Sequence, residues 1–462
     1  MQAEQLSTQE VADLAGVHKD TLLRWLRDGA VSEPARDGRG WRSFSVAEAG
    51  AITRFAKERA CADVAASTEA ADLTIEKLNG LDWDFHAAKT NYLTHGLHPY
   101  PAKFIPQIPN ALIQELSSVG DTIADIFCGS GTTLLEALQL KRNAVGVDAN
   151  PLAALISKAK TTTLSNRQIE MALRHRDECL HISRTIRPRE GNLFYDGKPF
   201  LSAAWRPDAD MCEFWFEPHV VEELAEIRLR MSLISDEKLR IFCSALLSAI
   251  IVAVSKQDSD TRYVRRDKQI QPGDTIRRYI SQLDSAIPAA VELSDIVEDR
   301  FSCRIYNESL LDAPKIGPCD LVVCSPPYPN AYSYHLYHRT RMLWLGYDPE
   351  KFKKEEIGSH RKYSAKGSNR ATAETFKREF RFIFTWLRTY LKDRKYACFV
   401  IGDSTINGER IDNAALLAEA ASQVGFQECA RISRELQATK KSFNPKIGKI
   451  RKENILILQK AR

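Results

Sequence analysis

The stretch CDLVVCSPPYPNAYSYHLYH, beginning at Cys319, runs from an apolar segment into Ser325, Pro326, Pro327 and Tyr328. Two adjacent prolines have fixed φ angles and no N–H, so the turn they make is stiff. A stiff turn carrying a hydroxyl, an unpaired carbonyl and a flat aromatic ring holds acceptors and a stacking face in set positions. A second constellation is ADIFCGSGTTLLEA, holding Asp125, Phe127, Cys128, Gly129, Ser130, Gly131 and Thr132. There an apolar strand ends, a glycine-rich turn follows and a helix opens. Glycines at such a turn let backbone approach a ligand closely at the carboxyl edge of a sheet. No Gly-Lys-Ser/Thr follows and no third glycine completes G-x-G-x-x-G, so neither phosphate-binding pattern is met. About 20 residues on, AVGVDANP ends a strand in Asp148 and Ala149. A carboxylate there is placed for ribose hydroxyls, and it also suits a helix cap before Pro151. Together the two pieces imply a cofactor that carries adenosine and lacks a pyrophosphate.

The elements that must position these residues follow a βαβ rhythm from Asp121: TIADIF, GTTLLEALQLK, NAVGVDA and PLAALISKAK alternate strand with helix. Such a pattern gives a parallel sheet covered on both faces. It breaks near 165, and residues 165–298 are mostly helical in pattern. Strands return at FSCRIYN, DLVVCS, YACFVIG, FQECARI and NILILQK. The polar, basic stretch 357–376 reads as a mobile loop.

With these elements in order, the chain resembles the S-adenosylmethionine-dependent DNA amino-methyltransferases. Asp125 to Thr133 is similar to their Asp-x-Phe-x-Gly-x-Gly-Thr-Thr motif, and Ser325 to Tyr328 to their catalytic [Asp/Asn/Ser]-Pro-Pro-[Tyr/Phe/Trp] motif. HGLHPYPAKFIPQIP resembles the segment before the glycine motif, with Lys103 and Phe104 in the contacting stretch. IYNESLLD lies where a third strand delivers a polar residue, usually aspartate, beside the adenine; Asn307, Glu308 or Ser309 takes that place here. The resemblance covers roughly residues 95–460. It implies an α/β fold with a Rossmann-like seven-stranded sheet, mostly parallel, whose last hairpin is antiparallel. The implied cofactor is S-adenosylmethionine, and the implied partner is double-stranded DNA.

The motif chemistry agrees. An exocyclic amino nitrogen is a poor nucleophile because its lone pair is delocalised into the ring. Acceptors at Ser325 and at the Pro326 carbonyl favour a pyramidal nitrogen, and Tyr328 offers a surface for an extruded base. Serine in the first position tilts the resemblance toward cytosine N4 over adenine N6. The rival carbon-5 cytosine chemistry needs a cysteine nucleophile after proline. Pro318-Cys319 has that order, but Cys319 begins a strand, so Cys319 and Cys324 read as structural. Tyr332 and Tyr334, with His335, His338, Arg339, Arg341 and Trp344, either line the base pocket or begin a helix whose apolar side faces the core.

Residues 1–60 form a compositional unit. Ser7 with Glu10 makes a capping box, Val11, Leu14, Leu22, Trp25 and Leu26 keep helical spacing, and Gly16 marks a turn between helices. The unit resembles a MerR-type winged helix-turn-helix, with Gly40, Trp41, Arg42 and Phe44 as the wing. Arg24, Trp25, Arg27 and Arg42 are then the residues expected at DNA; the plainer alternative is a packing module. Further domains are a helical connector (61–94), the cofactor half of the core (95–164), the helical insertion (165–298) and the catalytic half (299–462). Target reading falls to Arg262, Arg265 and Arg266 in the insertion, to the loop with Arg361, Lys362, Lys366 and Arg370, or to the N-terminal unit; a charge run is also simply a solvated face. KKSFNPKIGKIRKEN is basic as well.

Composition sets the bounds. Hydrophobic residues at 44% and charged residues at 27% exclude a disordered or membrane chain. The net charge of +5 permits a polyanionic partner without requiring one. Ten cysteines without a C-x-x-C pair argue against a zinc site or disulfide scaffold, and no metal is expected. The N-terminus lacks an apolar signal segment and ALLSAIIVAVS is too short to span a bilayer, which reads as cytoplasmic. An RNA base methyltransferase and a regulator with an inactive methylase fold are the alternatives. A restriction or phage-defence partner fits the resemblance, and the oligomeric state is open.

Overall fold

The computed structural model describes residues 5–36, 41–86, 88–101, 103, 105–185, 204–330, 332–365, 370–406, 408–435 and 452–461, with backbone only over 60–72 and 184–185. The chain separates into two compact units, Met1–Gly80 and Leu81–Arg462.

The first unit contains β1 (Gln5–Leu6), α1 (Thr8–Ala15), α2 (Lys19–Arg27), β2 (Ala35–Arg36), β3 (Arg42–Ser45) and α3 (Val46–Asn79). Ser7 and Glu10 form the expected reciprocal cap on α1, and Gly16 ends it in the left-handed region at φ 68°. The three strands pair antiparallel in the order β1-β3-β2. Val11, Leu22, Trp25, Leu26, Phe44 and Ile52 close a small core. α3 opens on a second capping box, Ser45 with Glu48, and runs through residue 60, where the sequence suggests a boundary.

The second unit opens with α4 (Gln107–Leu116), β4 (Thr122–Asp125), α5 (Thr132–Gln139), β5 (Asn143–Val147) and α6 (Pro151–Lys160). The insertion follows: α7 (Asn166–Thr185), α8 (Ala209–Trp215), α9 (Pro218–Ser232), α10 (Glu237–Val254), β6 (Gln257–Ser259), β7 (Arg262–Arg265) and α11 (Asp274–Ile296). The core resumes with β8 (Cys303–Tyr306), β9 (Cys319–Cys324), α12 (Tyr334–Tyr337), α13 (Arg339–Leu345), α14 (Pro349–Glu355), α15 (His360–Tyr363) and α16 (Ala373–Arg388). It ends with β10 (Leu391–Gly402), β11 (Ser404–Ile406), β12 (Glu409–Ile411), α17 (Asn413–Ser422), β13 (Phe426–Glu435) and β14 (Lys452–Lys460).

A seven-stranded sheet runs β13-β14-β10-β9-β4-β5-β8. β10, β9, β4, β5 and β8 are mutually parallel. β14 is antiparallel to both β10 and β13, so the mixed α/β sheet with a reversed last hairpin is present as expected. β9 is buried at every position, which explains its unbroken apolar run: a central parallel strand is covered on both faces. On one face α16 places Phe376, Phe380, Ile383, Phe384 and Leu387 inward at spacings of three and four. Each such burial is worth about 1.5–3 kcal/mol.

α10 is apolar nearly all round, and it is the centre of the insertion. Its core is continuous with Leu152, Leu155 and Ile156 of α6 and with Met342 and Trp344 of α13. The insertion therefore packs directly on the elements beside β5 and after β9. Among the described residues no helix is long and apolar enough to cross a membrane.

Candidate active site

β4 has β5 on one side and β9 on the other, while β5 and β8 follow it outward in the chain before the path crosses back to β9. That reversal is the switch point of an open α/β sheet, where a crevice opens at the carboxyl ends of the strands. Ile123 and Ala124 of β4 pair with Leu321 and Val322 of β9. The turns that follow, at Gly129 and at Ser325, thus leave neighbouring strands about 4.8 Å apart at one edge of the sheet.

The glycine turn is shaped by contacts below it. Gly131 lies at φ 76°, and a Cβ there would fall 2.9 Å from Ser157 Oγ and 3.1 Å from its Cα. Conformation and packing on α6 both exclude a side chain. Ser157 Oγ donates to the Gly129 carbonyl at 2.8 Å. The Gly129 N–H donates to Asp148 Oδ2 and the Asn150 N–H to Asp148 Oδ1, each at 2.8 Å. Asp148 thereby braces the turn, and its oxygens keep further lone pairs for a ligand. The helix cap is Asn150, whose Oδ1 accepts from Leu152 N at 3.0 Å.

Asp125 is buried at the end of β4 and accepts from Phe127 N at 3.1 Å. Burial pushes its carboxyl up to about 7 and that of Asp148 up to about 6. The Phe127 ring meets Phe380 at 5.8 Å. The side chains of Cys128, Ser130 and Thr132 are turned inward, so these residues can offer a ligand their backbone. Ala149 is partly exposed beside Asp148.

Asn307 Nδ2 donates to the Asp148 and Ala149 carbonyls at 2.9 and 3.1 Å and so laces β8 to this turn. Ser309 is buried and accepts from Leu311 N at 3.2 Å. Lys103 Nζ donates to the His95 carbonyl at 3.2 Å, and Phe104 lies outside the described residues.

Because its folded value lies above the ordinary 3.8, the Asp125 carboxyl contributes stability that is complete below that value and lost as pH rises through about 7. Urea unfolding at a series of pH values is expected to show the stability of wild type gaining on that of Asp125→Asn as pH falls from 8 to 4. A constant difference would mean that Asp125 titrates normally.

The catalytic-motif turn is held on every side. Ser325 Oγ donates its proton to the Val400 carbonyl at 3.0 Å, which leaves the oxygen lone pairs as acceptors. Tyr328 donates from its hydroxyl to Glu453 Oε1 at 2.8 Å. Glu453 Oε2 accepts from Arg434 Nη1 at 2.7 Å, and Arg434 Nε donates to the Trp83 carbonyl at 3.0 Å. Gly358, at φ 73°, backs the turn: a Cβ there would lie 3.1 Å from the Tyr328 carbonyl oxygen. Asn330 N donates to the Gly358 carbonyl at 3.0 Å, and Asn330 Nδ2 to the Thr405 carbonyl at 2.6 Å.

The expected mobile loop is thus corrected over its first part. Ile357, Gly358 and Ser359 are buried, Gly358 against the backbone of Pro327 and Tyr328, and α15 follows. The local polar composition hid packing partners some 30 residues away. Glu453, Arg434, Gly358 and Val400 are the supporting residues that the sequence reading missed. Its one available signal was Glu453, the single acid in the last strand, near its head.

Of the two readings for the aromatic stretch, the structure shows the helical one, with Trp344 fully buried in the core. α12 begins at Tyr334, whose ring stacks on Tyr100 at 5.8 Å, and Tyr332 lies 5.7 Å from Tyr334. His335 Nδ1 meets Glu356 Oε2 at 2.5 Å, and His338 Nδ1 is 3.3 Å from Asn150 Nδ2. Cys319 is fully buried at the start of β9, and burial pushes its thiol up to about 12, which fits a structural residue.

Among the residues expected at DNA, Arg24 and Arg27 are exposed on α2, and Arg42 Nε donates to Glu33 Oε1 at 2.7 Å. Trp25 requires a correction. It is 7% exposed and packs edge-on against Phe55 at 5.2 Å, because the helical spacing it shares with Leu22 and Leu26 turns it into the core. Gly40 and Arg39 of the wing, Lys366, and most of the basic segment before β14 lie outside the described residues. Arg262, Arg265 and Arg266 lie on or just after β7 and are partly or fully exposed. Among the described residues no His/Cys/Asp/Glu group could hold a metal ion.

Residues 51–159, which hold the glycine turn and Asp148, match the family model for DNA methylases of N6/N4 type. Among curated proteins the chain is similar to the type II methyltransferase M.MvaI of Kocuria varians, with 32% identity over 56% of this chain and 59% of that protein. It is also similar to the type II methyltransferase M.BsoBI of Geobacillus stearothermophilus, with 26% identity over 58% of this chain and 56% of that one. The chain thus spans a little under three fifths of the length of these relatives. A solved TehB-like SAM-dependent methyltransferase from Corynebacterium glutamicum aligns over 76% of this chain and 86% of its own, with a TM-score of 0.28 and 9% identity. That is too distant to bear on the fold, which rests on the strand order itself.

The cofactor of this family is S-adenosylmethionine. The turn suits it: the Asp148 carboxylate keeps lone pairs that a ribose diol can use, and its charge adds to the burial that holds the Asp125 carboxyl above the usual range. Residues 51–159 are thus similar to the N6/N4 DNA methylases, and a little over half of the chain is similar to the type II methyltransferases M.MvaI and M.BsoBI.

Proposed function

We propose that this protein is a site-specific DNA methyltransferase acting on the exocyclic amino group of a flipped base, with cytosine N4 favoured over adenine N6. The observation that carries the reading is the adjacency of the Gly129–Gly131 and Ser325–Tyr328 turns at the carboxyl edge of paired strands β4 and β9. S-adenosylmethionine, when bound, supplies an electrophilic methyl group on a sulfonium. The residues of the chain do the rest by positioning.

Ser325, with its proton committed to Val400, accepts one amine hydrogen, and the Pro326 carbonyl is the second acceptor. Pro326 and Pro327 keep both in place. The Tyr328 ring, anchored through Glu453, is the stacking face, worth about 1–3 kcal/mol for a base. Asp148 holds the ribose, with Asn307 bracing its turn. The preference for N4 rests on serine at the first motif position.

Unit 1 is proposed as a winged helix-turn-helix that adds duplex affinity. Arg24 and Arg27 on α2 and Arg42 on β3 are its phosphate contacts. The type II names of the relatives favour a role beside a restriction enzyme.

Expression in a host without DNA methylation, followed by digestion to nucleosides and mass spectrometry, is expected to yield N4-methylcytosine. N6-methyladenine would keep the enzyme class and overturn the base preference. Unmodified DNA would reject the activity.

A further inference from the structure

The hairpin β6–β7 is fastened to the segment that follows the catalytic turn. Gln257 is buried; its Nε2 donates to the Tyr337 carbonyl at 3.0 Å and its Oε1 accepts from Thr340 Oγ1 at 2.8 Å. At the hairpin turn Asp260 pairs with the guanidinium of Arg341. Arg341 is fully buried and also donates from Nε to the Ser248 carbonyl at 2.8 Å. Breaking such a pair leaves a buried charge uncompensated. The hairpin and α12–α13, which begin just past Tyr328, therefore form one rigid piece.

The strand β7 has two unlike faces, as alternation requires. On one, Tyr263 packs on Trp215 at 4.5 Å and Arg265 lies over Phe214 at 5.4 Å. The other carries Arg262 and Val264, a β-branched apolar residue that is 50% exposed. The arginine ion pairs are long, with the guanidinium groups reaching solvent: Arg262 and Arg266 to the largely buried Asp258 at 3.5 and 3.4 Å, Arg265 to Asp267 at 4.0 Å. Long pairs whose cation faces solvent hold it weakly, so phosphate oxygens can replace them. A two-stranded antiparallel ribbon is also of a size that the DNA major groove admits.

We propose that this hairpin reads the duplex beside the flipped base, with Arg262 and Val264 toward base edges and Arg265 and Arg266 on phosphates. Arginine suits guanine, and an exposed valine suits the thymine methyl group. The inference rests on the proposed amino-methyltransferase activity and names the element that selects its site.

The full-length protein tests it with two double variants, each checked for wild-type S-adenosylhomocysteine affinity as the mark of an intact fold. Arg265→Ala/Arg266→Ala is expected to weaken binding to a labelled random-sequence duplex about tenfold or more, and to lower the slope of log affinity against log salt by about 1–2. Arg262→Ala/Val264→Ala is expected to change the sequence methylated in a methylation-free host, as mapped by single-molecule sequencing. An unchanged slope and an unchanged methylated sequence would overturn the hairpin assignment while the catalytic reading stands. A wild-type protein that transfers no methyl group but shows the loss of slope would sink the catalytic reading and keep the hairpin as a duplex reader.

Discussion

Ser325→Ala is expected to lower methyl transfer about 10²–10³-fold, the scale of removing one preorganised polar group aimed at a reacting centre. Its hydroxyl is oriented before substrate arrives, because Oγ donates to the Val400 carbonyl at 3.0 Å and keeps its lone pairs as acceptors. Removing it leaves the amine hydrogen without that partner and the nitrogen lone pair in the ring. Cofactor binding should not change, since the glycine turn and Asp148 are braced by Ser157, Gly129 and Asn150 rather than by Ser325. Ser325→Asn, which restores an oxygen acceptor, should recover part of the rate. Single-turnover kinetics beside a titration with S-adenosylhomocysteine separate the two effects. A normal rate for Ser325→Ala would remove the serine from the chemistry.

The second large effect is expected at Asp148, where the conservative change is informative. Both carboxylate oxygens accept a backbone N–H at 2.8 Å, from Gly129 and from Asn150. An asparagine has one acceptor oxygen and an NH₂, so in Asp148→Asn a donor must face one of those donors. Leaving a buried N–H unpaired costs about 1–3 kcal/mol, and here the cost falls on the shape of the glycine turn. S-adenosylhomocysteine affinity is expected to drop about tenfold or more, with a lower melting temperature.

The wild-type affinity should also fall as pH drops through about 6, because the carboxyl is charged above that value and gives up acceptor capacity when it takes a proton. Asp148→Asn should lack this pH step. Calorimetric titrations from pH 5 to 8 measure both, and equal affinities for the two proteins would exclude Asp148 from the cofactor site.

Much of the site could be read from the chain because its parts are local. Asp125 to Thr132 is a strand end, a turn and a helix start in a few consecutive residues, and Gly131 takes a left-handed backbone that favours glycine. The prolines at 326 and 327 stiffen their turn wherever it lies. Trp25 shows the limit of the same reasoning. Arg24 and Arg27 stand close to it in sequence, but the helical period that joins it to Leu22 and Leu26 decided its direction, and it went into the core. Asn307 was one of three open choices for the cofactor side, and its direction became visible only where β8 lies beside β5.

By itself, then, the sequence determined the strand and helix rhythm, the two chemical turns and the helical character of the insertion, since each depends on residues within a few positions of one another. Tertiary structure decided what stands behind those turns. Glu453 and Arg434 meet Tyr328 because β13 and β14 return antiparallel to the sheet, so the head of β14 lies at the carboxyl edge of the parallel strands. Gly358 reaches the back of the turn across a polar stretch that local composition marked as loose. The β6–β7 hairpin came to the segment that follows Tyr328 through Gln257 and Asp260, whose partners lie about 80 residues further along the chain. Pairings over such separations depend on strand order and buried hydrogen bonds, and no pattern within a window of the sequence carries either.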